Sequence, residues 1–344
     1  MDTVTDDLRV AVIGAGMMGA DHVRRLTERI SGARVVAVVD ADAHRAAAVA
    51  DSTPGAVARP DATEVLADPN VDALLIATPG QFHESILAPA LERGLPVFCE
   101  KPLTLDAASS LRIVELEQKR DRPVVQVGFM RRFDAGFRKL KDVADQGALG
   151  ELLLLHCRHR NASSHLVNSE ALLIQDSVVH EFDIIAWLTG SELATIEVRK
   201  PRSTRHAPGG LADPQLVLIE TESGVIADVE IFINARYGYE VSTEAVFEEG
   251  VAAIGQPTEL VTRTSYAQSM SIAPTFVERF RDAYDTQLQR WVNAARNGAI
   301  DGPSAWDGYR AAVACEAGIR AQASGERVRV GATPTPDFYR NQVL

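Results

Sequence analysis

Cysteine is scarce in this chain. Cys99, Cys157 and Cys315 are its three cysteines, and no two of them fall at C-x-x-C spacing. That excludes a disulfide framework and a paired-cysteine zinc site, and it fits reduced thiols in a cytoplasmic protein. Long apolar runs are missing as well, since nothing approaches the roughly 20 residues a membrane helix needs. The first ten residues are acidic and lack the basic-then-apolar order of a secretory signal, so none is expected. Positive charge is short: 35 Lys and Arg stand against 47 Asp and Glu, for a net charge of −12. Such a chain repels a phosphate backbone, which argues against nucleic acid as the main partner. Backbone amides can still hold a cofactor phosphate locally. Internal repeats and low-complexity tracts are absent too. The remainder, 46% apolar and 24% charged, is ordinary globular protein, and 344 residues imply two domains.

The most legible stretch is Val10-Ala11-Val12-Ile13 followed by Gly14-Ala15-Gly16-Met17-Met18-Gly19. An apolar strand runs into G-x-G-x-x-G, and Ala20–Leu26 continues as a helix. In that context Gly14 permits the tight turn, Gly16 lets the backbone approach a pyrophosphate, and Gly19 allows helix and strand to pack closely. The unpaired N–H groups of the helix start then face the phosphates. Asp40 ends the second strand, 21 residues beyond Gly19, where such folds place the acid that binds the adenosine ribose hydroxyls. A 2′-phosphate there would meet the carboxylate with a repulsion of roughly 4 kcal/mol, which favours NAD over NADP. Asp40 can equally cap the helix that follows, and Arg45 lies one turn further on, within reach of a phosphate.

Strands and helices alternate through the first third. Strands are expected at Arg34–Asp40, Ala56–Ala58, Val71–Thr78, Pro96–Glu100 and Val124–Val127, with helices at Asp42–Asp51, Asp61–Ala67, Phe82–Arg93 and Asp106–Arg120. Near-continuous apolar strands with helices between them indicate an α/β, doubly wound parallel sheet. The rhythm then changes. A helix at Ala135–Ala144 precedes a long strand at Glu151–Arg160, and a helix at Ser177–Leu188 is closed by Thr189-Gly190. Further strands follow at Ala194–Lys200, Gln215–Thr221, Val225–Ile233, Val241–Phe247 and Glu259–Thr264. Helices at Thr275–Arg296 and Ala305–Ala323 lead to a last short strand at Val328–Val330. Successive strands without helices imply an α+β second domain with an open, mostly antiparallel sheet. The expected division is 1–126 for the dinucleotide and 127–344 for the substrate and for assembly.

Three further stretches carry chemistry. Cys99-Glu100-Lys101-Pro102-Leu103 ends a buried strand at the carboxyl edge of the sheet, where ligands bind, and Lys101 can donate to a substrate oxygen. Asp176, His180 and Asp183 stand at i, i+4 and i+7, one stripe of a helix whose other face carries Val178, Val179, Phe182 and Ile185. A carboxylate one turn from an imidazole can orient it as a general acid/base, although a solvated polar face has the same pattern. In Leu155–Asn161, strand alternation puts Cys157, His159 and Asn161 on one face and His156, Arg158 and Arg160 on the other. The two histidines point apart, which argues against a shared metal, and no other spacing suggests zinc. Hydride transfer would then rely on the nicotinamide and an amino-acid base.

With these residues in hand, the sequence resembles the Gfo/Idh/MocA oxidoreductase family over nearly its whole length. The motifs recur in order: the glycine turn, Thr78-Pro79 followed by His83, Glu100-Lys101-Pro102, and the Asp176…His180 helix. The stretches Val127–Asp134, His156–Asn161 and Asn234–Tyr239 are similar to those of family members that act on inositol. The resemblance implies a Rossmann domain that binds NAD through Gly14, Gly16, Met17, Met18, Gly19, Asp40, Thr78, Pro79, His83, Glu100 and Lys101. It implies a catalytic group of Lys101, Asp176 and His180, with Met130, Arg131, His159, Asn161, Asp183 and Tyr239 at or near the polyol. Tyr237, two residues before Tyr239, can exchange roles with it. The loop 162–173 carries no distinctive signal. The implied activity is oxidation of one secondary hydroxyl of myo-inositol to the inosose, in inositol catabolism, by a cytoplasmic homotetramer assembled through the open sheets. Another cyclitol such as scyllo-inositol, or an aldose such as glucose, is the nearest alternative. An NAD-dependent glycosidase and a non-catalytic dinucleotide sensor are more distant ones.

Overall fold

A computed structural model describes residues 7–163, 169–255, 261–331 and 333–340. The chain divides into two compact units. The first holds Met1–Phe129, Tyr284–Ala312 and Pro334–Leu344; the second holds Met130–Ala283 and Val313–Thr333.

In the first unit, β1 (Leu8–Ile13), β2 (Ala33–Val39), β3 (Val57–Arg59), β4 (Ala73–Ile76), β5 (Val97–Cys99) and β6 (Val125–Val127) alternate with α1 (Met17–Glu28), α2 (Ala43–Asp51), α3 (Ala62–Ala67), α4 (His83–Arg93) and α5 (Ala107–Glu117). The six strands form one parallel sheet in the order β3-β2-β1-β4-β5-β6. The order reverses between β1 and β4, the topological switch point where such sheets bind ligands. Val10, Val12, Leu74 and Leu75 are fully buried, which is why these strands read as continuous apolar runs. Asp42, Asp61 and Asp106 cap α2, α3 and α5, the last with a capping box to Ser109. The core on β1 and α1 also takes in Leu288, Trp291, Val292 and Ala295 from the later helices of the chain.

The second unit opens with a 3₁₀ turn at Met130–Phe133 and α6 (Ala135–Gln146), capped by Asp134. Its strands are β7 (Leu152–Arg160), β8 (Leu193–Arg199), β9 (Gln215–Thr221), β10 (Ile226–Phe232), β11 (Glu240–Phe247) and β12 (Val251–Ile254). With the short strand Val328–Arg329 they form a seven-stranded sheet, antiparallel throughout except for the parallel pairing of β10 with β7. The strand expected at Glu259–Thr264 begins outside the described residues. Its described part, Val261–Thr264, pairs with Ala267–Met270 as a separate two-stranded hairpin. The helix expected to begin at Ser177 starts earlier, as α7 (Glu170–Leu172), and passes through one π turn at Leu173–Val178 into α8 (Val179–Thr189). Gly190, at φ 60°, ends it in the left-handed conformation. The loop 162–173 lies partly outside the described residues.

Candidate active site

The cofactor-side residues of the first unit follow the carboxyl ends of its strands: Gly14 after β1, Asp40 after β2, Thr78 after β4, Glu100 and Lys101 after β5. The glycines have unequal reasons for being glycine. Gly14 has φ +100°, and a Cβ on it would sit 2.6 Å from the carbonyl oxygen of Ala77. A Cβ on Gly19 would lie 1.8 Å from the carbonyl oxygen of Gly14, so that position sets the approach of α1 to the turn. Gly16 has open space within 4 Å of where its Cβ would be. Gly16 is also the N-cap of α1, with no side-chain cap and no acidic residue in the first turn. The helix start therefore keeps its N–H groups for an anion, and the space at Gly16 admits one. Met17 is exposed and Met18 half-buried beside it.

Asp40 is built into the turn. Its Oδ2 accepts the Ala15 N–H at 2.7 Å and its Oδ1 the Asp42 N–H at 2.9 Å. The cap of α2 is Asp42, which accepts from the N–H groups of His44 and Arg45, so the alternative role for Asp40 falls to its neighbour. Arg45 Nε lies 3.7 Å from Asp40 Oδ1. Thr78 contributes a shielded hydroxyl with no hydrogen-bond partner among the described residues, while Pro79 is exposed. These features fit a dinucleotide: an open cradle at Gly16, a helix start without a side-chain cap, a carboxylate at the end of β2 and an orphaned hydroxyl.

His83 is fully buried, with its ring nitrogens on backbone carbonyls. Nδ1 lies 2.9 Å from the oxygen of Pro102, and Nε2 lies 2.7 Å from that of Thr78. Burial pulls its pKa below the usual histidine value, against the carbonyls that favour the charged form. The ring thus clamps the loop after β4 to the loop after β5. Glu100 is buried as well, its Oε1 2.7 Å from His22 Nε2 and its Oε2 accepting the Lys101 N–H at 3.2 Å. Lys101 is half-buried at the strand end. Burial pushes the Cys99 thiol well above its ordinary value, which makes it an inert neighbour.

In the second unit, Asp176 lies in the π turn and His180 in the first turn of α8. The Val179 N–H donates back to the carbonyl of Ile174, the wide i to i−5 bond that defines the π turn. Such turns recur at functional sites because they re-aim side chains. The helix is buried nearly all round: His180, Glu181, Phe182 and Asp183 are each less than a tenth exposed. This excludes a solvated polar face at His180 and Asp183, while Asp176, in the π turn, is half-buried.

A buried ionic cluster adjoins it. Arg131 Nη1 donates to Glu181 Oε1, and Arg131 Nη2 lies 3.2 Å from His159 Nδ1. Glu181 Oε2 is 3.3 Å from the same His159 nitrogen. Burial by itself raises the Glu181 carboxyl, but Arg131 and His159 outweigh it and hold the group below the ordinary carboxylate value. Tyr239 packs edge-on to the His159 ring at 5.8 Å and bonds to Arg131. Burial pushes its hydroxyl up to about 12. Tyr237 is nearly half exposed and bonds to Arg160 and Glu240. Asp183 forms a buried two-point pair with Arg132, its Oδ2 3.1 Å from Nε. Met130 is buried, and Asn161 Oδ1 is shielded without a hydrogen-bond partner among the described residues.

Arg131, His159 and Tyr239 thus come together around Glu181, and Asp183 is tied to Arg132. Sequence reasoning passed over Glu181, Arg132 and His22. The available signal was the apolar setting of Glu181 and Asp183 in Val178–Leu188: a helix apolar on all sides is buried, so carboxylates on it need cations. Two consecutive arginines, Arg131 and Arg132, supply them.

Fold and strand-end residues together define an oxidoreductase built on an NAD-binding Rossmann domain. The family model described as an oxidoreductase family with an NAD-binding Rossmann fold matches residues 8–129, and the GFO/IDH/MocA C-terminal domain matches residues 137–253. The chain belongs to the Gfo/Idh/MocA family. It is 53% identical over 336 residues to an inositol 2-dehydrogenase of Pseudarthrobacter chlorophenolicus, covering 98% of this chain and 100% of the relative. It is 50% identical over 337 residues to an inositol 2-dehydrogenase of Corynebacterium glutamicum, with 98% and 100% covered. Among solved structures, myo-inositol dehydrogenase from Lactobacillus casei in complex with NAD(H) and myo-inositol superposes with a TM-score of 0.94 at 36% identity. The match covers 97% of this chain and 100% of that one.

Proposed function

We propose that this chain oxidises myo-inositol with NAD to 2-keto-myo-inositol (scyllo-inosose), the activity of an inositol 2-dehydrogenase. The observation that carries the reading is its full-length similarity to enzymes of that name, one of them solved with NAD(H) and myo-inositol bound. When bound, NAD accepts the hydrogen and electron pair that leave the carbinol carbon. The glycine turn, Asp40 and Thr78 hold it. His180 takes the proton of the reacting hydroxyl, Asp176 orients the imidazole, and Lys101 donates to the oxygen as its charge changes. Asn161 offers an acceptor to a second hydroxyl of the polyol. Arg131, His159 and Tyr239 form the wall around Glu181, with Met130 and the Arg132–Asp183 pair beside it. Residues 1–126 carry the cofactor; residues 127–344 bind the polyol and assemble a cytoplasmic homotetramer.

Purified protein assayed with NAD and NADP against myo-inositol, scyllo-inositol and glucose tests the reading. Reduced-cofactor absorbance is expected first with NAD and myo-inositol, and His180→Ala should lower kcat by about a hundredfold or more. Undiminished turnover in that variant removes His180 as the base. Cleavage of a glycoside without net cofactor reduction replaces the dehydrogenase with a glycosidase.

A further inference from the structure

We propose that His22 is a positioning residue for Lys101, acting through the carboxylate of Glu100. The inference rests on the role given to Lys101 above. His22 lies on α1, the helix whose start carries the glycine turn, and it is fully buried. Its Nε2 is 2.7 Å from Glu100 Oε1. Its Nδ1 has no hydrogen-bond partner among the described residues, and the ring packs edge-on to Phe98 at 5.6 Å and Tyr284 at 6.0 Å. An Nε2–H is thus directed at the carboxylate, the one hydrogen-bonding group that the ring meets among the described residues.

Glu100 is held from three elements. Helix α1 supplies His22, the end of β5 supplies the Lys101 N–H to Oε2 at 3.2 Å, and the end of β6 closes in through Gly128. A Cβ at Gly128 would stand 2.9 Å from Glu100 Oε2, so a larger residue there would push the carboxylate out of its present place. A buried carboxylate with so few donors depends on each of them. Without the imidazole, Glu100 loses its side-chain donor and turns toward another, and the Lys101 main chain loses its fixed acceptor. His22 and Glu100 therefore set the separation between the phosphate-binding helix and Lys101.

His22→Phe keeps the ring and removes the donor. In the cofactor-free protein, hydrogen exchange at the Lys101 amide should speed up by about tenfold or more. In the assay kcat should fall by about tenfold or more, while the KM for myo-inositol and the NAD dissociation constant stay within about threefold. His22→Gln, which returns an N–H near the Nε2 position, should recover both readouts. His22→Phe combined with Glu100→Gln should be no slower than Glu100→Gln alone, because the effect runs through the carboxylate. Unchanged exchange and kcat in folded His22→Phe, a loss that His22→Gln leaves unrecovered, or additive losses in the double variant would each overturn the proposal. Should His22→Phe not fold, His22→Asn, whose amide is too short to reach Glu100, takes its place with the same expectations. Lys101→Ala separates the two levels: full turnover there overturns the role of Lys101 itself. Loss there beside wild-type behaviour of His22→Phe overturns the part given to His22 alone.

Discussion

Replacing Glu117 with Gln should stabilise the protein above neutral pH and change little in mild acid. Glu117 closes α5 and is fully buried. Its Oε1 accepts the N–H groups of Val124 and Val125, each at 2.7 Å, and its Oε2 accepts the Tyr339 hydroxyl at 2.6 Å. Burial outweighs these bonds and the charge of Arg120, and pushes the carboxyl from 4.5 up to about 7. The facing Tyr339 hydroxyl is itself raised, first by burial and then by Glu117 and Asp307. In the unfolded chain the group loses its proton near its ordinary value, whereas the folded protein keeps the proton until about 7. Between these values the folded state binds more protons, so stability falls as pH rises. The total loss is about 3 kcal/mol, complete above the folded value. Gln accepts both N–H groups on one oxygen, offers its amide to the Tyr339 oxygen, and does not ionise. For a chain of this length melting as one unit, the gain corresponds to about 4 °C at about pH 8 and about 1 °C at about pH 5. Calorimetric melting of both proteins at the two pH values, at fixed ionic strength, reads the difference. A variant less stable at the higher pH, or one shifted equally at both, refutes the reasoning.

Gly16→Ala should melt within about 1 °C of the parent yet bind NAD about tenfold or more weakly, because its Cβ fills only the cradle. Gly19→Ala, with a Cβ 1.8 Å from Gly14 oxygen, should lose stability as well; equal behaviour of the two in melting and cofactor titration contradicts this. Asp40→Ser removes the charge at the ribose position and leaves Arg45 nearby, so kcat/KM with NADP should rise by about tenfold or more. An unchanged preference removes Asp40 as its source. Glu181→Gln leaves Arg131 buried without its counter-charge and should cost about 3 kcal/mol in urea unfolding; parental stability there would mean the cluster carries no weight.

The glycine turn, Asp40 and the strand-end Lys101 were legible in the sequence because local order defines each of them: strand, tight turn, helix start. The doubly wound sheet was legible for the same reason, since apolar strands and capped helices announce themselves within a dozen residues. The π turn was not, because six residues of wider winding leave no periodic trace, and the helix starts earlier, at Glu170. Nor was the partnership of Arg131 with Glu181, which joins residues 50 apart. His22 was hidden for a related reason: its acceptor, Glu100, lies 78 residues away. Tyr237 and Tyr239 were separable only in three dimensions, where one meets Arg160 and the other meets His159.

The central claim is that this chain moves hydrogen from the carbinol carbon of myo-inositol to NAD. The most direct measurement uses myo-inositol deuterated at C2, with the protein and NAD, followed by mass analysis of cofactor and product. The account predicts one deuterium in the reduced nicotinamide and an unlabelled 2-keto-myo-inositol. Deuterium retained in the product, or a ketone at another carbon, contradicts it.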